Sequence, residues 1–225
     1  MSAHPIVVYT AVSQGYDVLK KPLRLWQREA DFVAFLDNPQ PGSGWEYRPI
    51  YRRFRDPCRN AKVHKVLPHR YFPDAEYSLW VDGSVAMTST LPLANWIEHY
   101  LGRHDLAVYR HPRRQCIYEE AAHCLTHKLD RRTVIDRQMQ QYFLAGYPPH
   151  NGLAECTIIL RRHTKKVQEF NEAWYAEIAA HSRRDQLSFN YVARKVGLKF
   201  TYLLGEINNN PHFKRHSHTA ARSAA

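Results

Sequence analysis

Apolar positions along the chain follow two periods. Near-continuous runs at 5–12 (PIVVYTAV), 30–38 (ADFVAFLDN), 77–83 (YSLWVDG), 106–111 (LAVYRH) and 154–162 (AECTIILRR) are bounded by Gly, Pro or Asn. Runs of that length and β-branched content predict strands buried on both faces. A late strand is predicted over 198–205 (LKFTYLLG), and PQPGSG at 39–44 is a loop. Helices are predicted over 91–102, 116–129, 131–146, 165–182 and 184–197. In the fourth, Val167, Phe170, Trp174 and Ile178 recur at three- and four-residue steps. Thr90 with Pro92 suits a helix start, and Ser182 and Asp185 are spaced as a capping box. Strands interleaved with helices predict an α/β sheet covered by helices on both faces. Trp80, Trp96 and Trp174 fall in the apolar segments and are predicted to be core.

The composition, 44% hydrophobic over 225 residues, predicts a single large domain with a substantial core. Its expected bounds are 1–215, followed by a polar tail over 216–225. No run is long and apolar enough to cross a bilayer, and MSAHPIVVYT lacks the layout of a secretory leader. A cytoplasmic protein is therefore expected. Cys58, Cys116, Cys124 and Cys156 form no CxxC pair, so reduced thiols are expected and a zinc site is not. With 32 Lys and Arg against 21 Asp and Glu, the formal charge of +11 implies anionic partners. The basic residues are scattered over the chain, which argues against a dedicated groove-reading helix and makes nucleic acid an unfavoured partner.

No P-loop, dinucleotide fingerprint or G-x-S-x-G elbow is present. Candidate chemistry lies instead in four polar clusters. RNAKVHKVLPHRYFP at 59–73 supplies Arg59, Lys62, Lys65, His69 and Arg70, cations suited to a diphosphate or to a solvated helix face. YRHPRRQCIYEEA carries His111, Arg113 and Arg114 off a strand, with Glu119 and Glu120 behind them. Adjacent helical carboxylates point apart, so at most one of the two glutamates faces a pocket. GLAECTIILRRH and RRDQLSFNYV complete the set, with Asp185 either a helix cap or a catalyst. Asp82, at a strand end before Gly83, reads either as an Asp-Gly turn or as an acid holding a phosphate-bound metal.

In this order, KVLPHRYFPDAEYSLWVDGSV, YRHPRRQCIYEEA, GLAECTIILRRH and RRDQLSFNYV resemble the mucilage-related glycosyltransferase-like family, long catalogued as a domain of unknown function. The resemblance spans roughly residues 5 to 215. It implies a GT-A type, Rossmann-like mixed sheet that binds a nucleotide-sugar and transfers its glycosyl group to a hydroxyl of a glycan or other acceptor. It further implies that Tyr9, Thr10, Lys62, Arg70, Asp82, Gly83, Ser84, His111, Arg114 and Gln186 surround the donor. Asp185 and Glu120 become the candidate catalytic carboxylates. In the family's D-x-D position Asp82-Gly83-Ser84 keeps the first acid and replaces the second. Mn²⁺ or Mg²⁺ would be held by Asp82 and a late histidine such as His216, with His212 and His218 as alternatives. Two other classes remain open: a basic nucleic-acid-binding module with stacking aromatics, and an inactive carbohydrate-binding relative.

Overall fold

The computed structural model describes residues 4–217. Its centre is a seven-stranded sheet in the order β3-β2-β1-β4-β7-β6-β8. The strands are β1 (Ile6–Val12), β2 (Asp31–Leu36), β3 (Glu46–Pro49), β4 (Tyr77–Val81), β6 (Leu106–Arg110), β7 (Ala154–Arg162) and β8 (Thr201–Tyr202). β1 runs parallel to β2 and β4, β2 parallel to β3, and β6 parallel to β8, while β7 is antiparallel to both β4 and β6. The carboxyl ends of β1, β2, β4 and β6 and the amino end of β7 therefore lie along one edge. Open α/β sheets bind ligands at such an edge. β5 (Val85–Met87) and β9 (Phe213–Arg215) form a separate antiparallel ribbon.

Helices α1 (Pro57–Val66), α2 (Pro68–Tyr71), α6 (Lys165–Ala180) and α7 (Gln186–Val196) contribute to the apolar core on one face of the sheet. α6 lays Val167, Phe170, Trp174 and Ile178 against the sheet, as its periodicity predicts. The other face is covered by α3 (Leu93–Tyr100), a 3-10 turn at Trp26–Arg28 and the β5–β9 ribbon. Trp26, Trp96 and Phe213 meet there edge to face. α4 (Ile117–Thr126) and α5 (Arg132–Leu144) pack beside α7 in two smaller clusters. Trp80, Trp96 and Trp174 are all core, and the four cysteines are free.

Two helix starts differ from the sequence expectation. α3 has no hydroxyl cap from Thr90; the Glu29 carboxylate accepts from Leu93 N and Ala94 N, so a distant segment supplies the missing acceptors. The capping box before α7 does not form either. Ser182 Oγ donates to Asp130, and the Asp185 side chain caps nothing, because stronger partners hold it.

Candidate functional site at the sheet edge

Asp82 directly follows β4, and its N–H donates to Thr157 O of β7, so the acid leaves the sheet at a fixed point. Val85 N donates to Asp82 O and closes a turn through Gly83. A Cβ on Gly83 would lie 2.7 Å from Val12 Cγ2 and 3.2 Å from Asp17 Cβ. Glycine here admits the β1 loop against the turn. Gly83→Ala is expected to destabilise the protein by about 1–3 kcal/mol through overpacking and to displace Asp82. Chemical denaturation checks the first effect and nucleotide titration the second.

Lys62 and Lys65 are three apart on α1 and so share a helix face. Their ammonium groups converge on Asp185 Oδ2, at 2.6 and 2.7 Å. Lys65 Nζ also lies 3.1 Å from Asp82 Oδ1 and 5.5 Å from the centre of the Trp80 ring. Trp80 Nε1 donates to the same Asp82 oxygen at 2.5 Å. Lys65 and Asp185 are both buried. Burial alone would raise the Asp185 pKa, but the two ammonium groups outweigh it and hold the carboxyl below its usual range. Burial alone would lower the Lys65 pKa, yet Asp185 and Asp82 outweigh it and raise the pKa above the usual lysine range. The result is a chain of opposite charges, Lys62–Asp185–Lys65–Asp82, along the edge.

Glu155 enters from the amino end of β7. It is buried, its Oε2 accepts from Thr157 N at 2.9 Å, and its nearest cation is Arg215, 3.9 Å away. Burial, reinforced by the charge of Asp82, raises its pKa above the usual glutamate value. An acid raised on folding opposes stability increasingly as pH climbs above its unfolded value of about 4.3. Glu155→Gln is therefore expected to raise the melting temperature at neutral pH and to have no such effect below about pH 4. Melting curves across that range check the sign.

A second polar group lies beside residues 184–186. Arg114 Nε donates to Glu120 Oε2 at 2.6 Å, and Arg184 stands 3.9 Å from Glu120 Oε1 and 3.3 Å from Gln186 Oε1. Gln186 in turn donates to Ala154 O at the start of β7. His111 directly follows β6, and its Nδ1 accepts from the N–H groups of Arg113 and Arg114. Burial lowers its pKa, consistent with a neutral ring in that accepting role. Glu120 is buried while its neighbour Glu119 pairs with His150 at the surface, so one of the two glutamates faces inward.

Lys62 and Asp185 thus meet directly and Asp82 joins them through Lys65, while His111, Arg114, Glu120 and Gln186 lie in the adjoining group. Ser84 is buried, and its C=O accepts from His216 N at 2.8 Å, so the β5–β9 ribbon delivers His216 beside the Asp82 turn. His212 serves the fold instead: Nδ1 meets Ser89 Oγ and the ring packs on Trp96. His218 lies outside the described residues.

Three expected donor contacts are placed elsewhere. β1 continues to Val12, so Tyr9 and Thr10 sit inside the strand and are buried. Tyr9 Oη donates to Lys65 O and accepts from the buried Arg161 at 3.0 Å. Arg70 grips Glu172 of α6. It precedes the segment Tyr71–Ala75, which lines a cavity with Val7 and Asp31 at the amino ends of the strands, the opposite edge of the sheet. Sequence reasoning passed over Glu155 and Arg184, and it named Lys65 only as one cation of the 59–73 cluster. Glu155 had a visible signal, a lone acid inside an apolar strand run.

The TOD1/MUCI70 glycosyltransferase-like domain family matches residues 50–215. The chain is 29% identical over 223 residues to "Probable hexosyltransferase MUCI70" of Arabidopsis thaliana, covering 86% of this chain and 38% of that protein. It is 21% identical over 235 residues to "Alkaline ceramidase TOD1" of the same plant, covering 90% of this chain and 51% of the relative. The chain thus spans about half or less of the curated relatives it matches. Among solved structures it resembles the WbbM bifunctional glycosyltransferase in its apo form, with a TM-score of 0.52 at 13% identity. That match covers 90% of this chain and 39% of WbbM.

Proposed function

Because the chain belongs to the TOD1/MUCI70 glycosyltransferase-like domain family, we propose that it transfers a hexosyl or related group from a nucleoside-diphosphate sugar to an acceptor hydroxyl. The observation that carries this reading is the charge chain Lys62–Asp185–Lys65–Asp82 at the carboxyl edge of a Rossmann-like sheet. In the transfer, the acceptor oxygen bonds to the anomeric carbon and gives up its hydroxyl proton to the departing phosphate or to water, while the bond from that carbon to the diphosphate breaks and its electron pair leaves with the phosphate. Cations fixed at the edge stabilise the charge that grows there and need no reorganisation as it forms. Asp185, already accepting from two ammonium groups and depressed in pKa, is suited to holding Lys62 and Lys65 in place. It is unsuited to taking a proton at neutral pH. Glu120, close to Arg114 in the adjoining group, likewise orients cations.

Asp82 also suits a divalent ion. Lys65 and Trp80 both engage Oδ1, and among the described residues no hydrogen bond is made to Oδ2. That arrangement orients the carboxylate and keeps one oxygen for a hard cation. No group of three His, Cys, Asp or Glu among the described residues could hold a metal, so diphosphate oxygens and water would complete a shell begun by Asp82 and His216. Bound there, Mg²⁺ or Mn²⁺ would neutralise the leaving diphosphate.

The test is a calorimetric screen of nucleoside diphosphates and their sugars, followed by detection of the released nucleotide. Binding of at least one and turnover of its sugar are expected; no binding to any overturns the reading. With an active donor in hand, Asp185→Asn is expected to lower turnover by roughly 10²-fold or more while leaving the protein folded, since misplacing positioned groups costs on that order. Near-normal turnover would remove Asp185 from the site.

A further inference from the structure

An open cavity of about 630 Å³ lies next to the charge chain, lined by Asp56, Pro57, Arg59, Lys128, Asp130, Arg131 and Arg183. Asp56 caps α1, the helix that carries Lys62 and Lys65. Arg183 is two residues from Asp185. The cavity and the proposed transfer site therefore draw on the same two segments, α1 and residues 183–185.

Its four cations and two acids do not cancel as they stand. Asp56 accepts from Cys58 N at 3.0 Å and faces Arg183 at 3.3 Å and Arg59 at 3.8 Å. Asp130 accepts from Ser182 Oγ, Arg183 N and Arg131 N, at 2.7, 2.9 and 2.7 Å. Both acids are thus fully occupied within the wall. Arg59 spends its guanidinium on the final carbonyls of α6, Ile178 O and His181 O, and Arg183 on Leu129 O and Asp56. Lys128 and Arg131 are different: both are exposed, and neither side chain has a hydrogen bond or ion pair among the described residues. Lys128 holds a left-handed backbone, φ 52°, where a lysine is uncommon.

Two unengaged cations over a polar cavity next to a transfer site fit an anion carried by the substrate that is not the donor. We propose that the cavity binds the acceptor through an anionic substituent on a saccharide, held by Lys128 and Arg131. Arg suits the planar fork of a carboxylate or the oxygens of a phosphate, and Lys adds a mobile point charge. No aromatic side chain lines the cavity, so it offers no platform for stacked bases, and an acidic saccharide fits better than a single-stranded nucleic acid.

This inference rests on the transferase reading for the word acceptor, but its test is a binding measurement that needs no activity. The full chain is titrated with a short oligouronide, with the same oligosaccharide after reduction of its carboxyl groups, with a phosphorylated oligosaccharide, and with an oligonucleotide. The comparison protein is Lys128→Asn/Arg131→Gln, in which Asn tolerates the left-handed backbone and both charges are lost. Wild type is expected to bind one of the acidic saccharides, more weakly in high salt and at least roughly tenfold more tightly than the neutral one, with a similar loss in the variant. Which acidic probe binds distinguishes carboxylate from phosphate. Donor nucleotide affinity is expected to stay unchanged in the variant. The inference is overturned if wild type binds neither acidic saccharide, if the variant binds as wild type does, or if the oligonucleotide is preferred. Acidic saccharide binding without any nucleotide binding would preserve the anion site and overturn the transferase reading instead.

Discussion

Replacing Lys65 with Met is expected to destabilise the protein by about 3–5 kcal/mol, the range seen when one partner of a buried ion pair is removed. The reason lies in what remains. Lys65 is buried between Asp185, 2.7 Å away, and Asp82, 3.1 Å away. Without it Asp185 keeps Lys62 alone, in a setting where its own desolvation is large. Urea denaturation with an unchanged slope would measure the loss as stability rather than altered compactness. Lys65→Met/Asp185→Asn should recover part of it, because the stranded charge is then gone, and the cycle isolates the coupling. The pH dependence follows from the directions of the two shifts. Asp185 is depressed, so its contribution is present above the unfolded value of about 3.9 and fades only as pH falls through the folded one. Lys65 is raised, so its contribution is present below about 10.4 and fades only as pH rises through the folded one. The cost of the variant should therefore be flat between about pH 5 and 9. A cost under about 1 kcal/mol would mean that Lys65 is solvated and pairs as a surface cation does.

Lys65 also shows where sequence reading stops. In RNAKVHKV it looks the same as a lysine on a solvated helix face, and only the packing of α1 against the strand that carries Tyr9 makes it the most buried cation of the edge. Strands β1, β2, β4, β6 and β7 and helices α3 to α7 were legible, because each has a continuous apolar run or a 3.6-residue period. β3, β5 and β9 were not: they are three or four residues long, and β3 is largely exposed, so no period can develop. The Asp82 strand end was visible as an acid interrupting an apolar run, and Asp185 as an acid at a helix start. Its partner was hidden, since nothing local distinguishes a carboxylate that caps its own helix from one reaching lysines more than a hundred residues away. Tyr9 and Arg70 lie apart from the charge chain for the opposite reason. Their residue types suit a nucleotide, but strand length buries the first and Glu172 holds the second at the far edge of the sheet.

Asp82→Asn is expected to abolish any enhancement of nucleoside diphosphate binding by Mn²⁺ or Mg²⁺ while leaving the turn intact. The turn survives because its bond runs from Val85 N to Asp82 O, a backbone group, and Asn tolerates the same conformations as Asp. The asparagine oxygen can still accept from Trp80 Nε1, so the side chain keeps its orientation. What disappears is the negative charge at Oδ2, the oxygen free of hydrogen bonds among the described residues, and a neutral amide is a poor ligand for a hard cation. Titration of wild type and variant with metal and with chelator separates three cases. Metal-enhanced binding in wild type alone assigns the ion to Asp82. Equal, metal-independent binding in both means that Lys62, Lys65 and their neighbours carry the diphosphate and that Asp82 serves to hold Lys65. Metal-enhanced binding that persists in the variant would move the ion away from this strand end, and with it the reason for an acid at the end of β4.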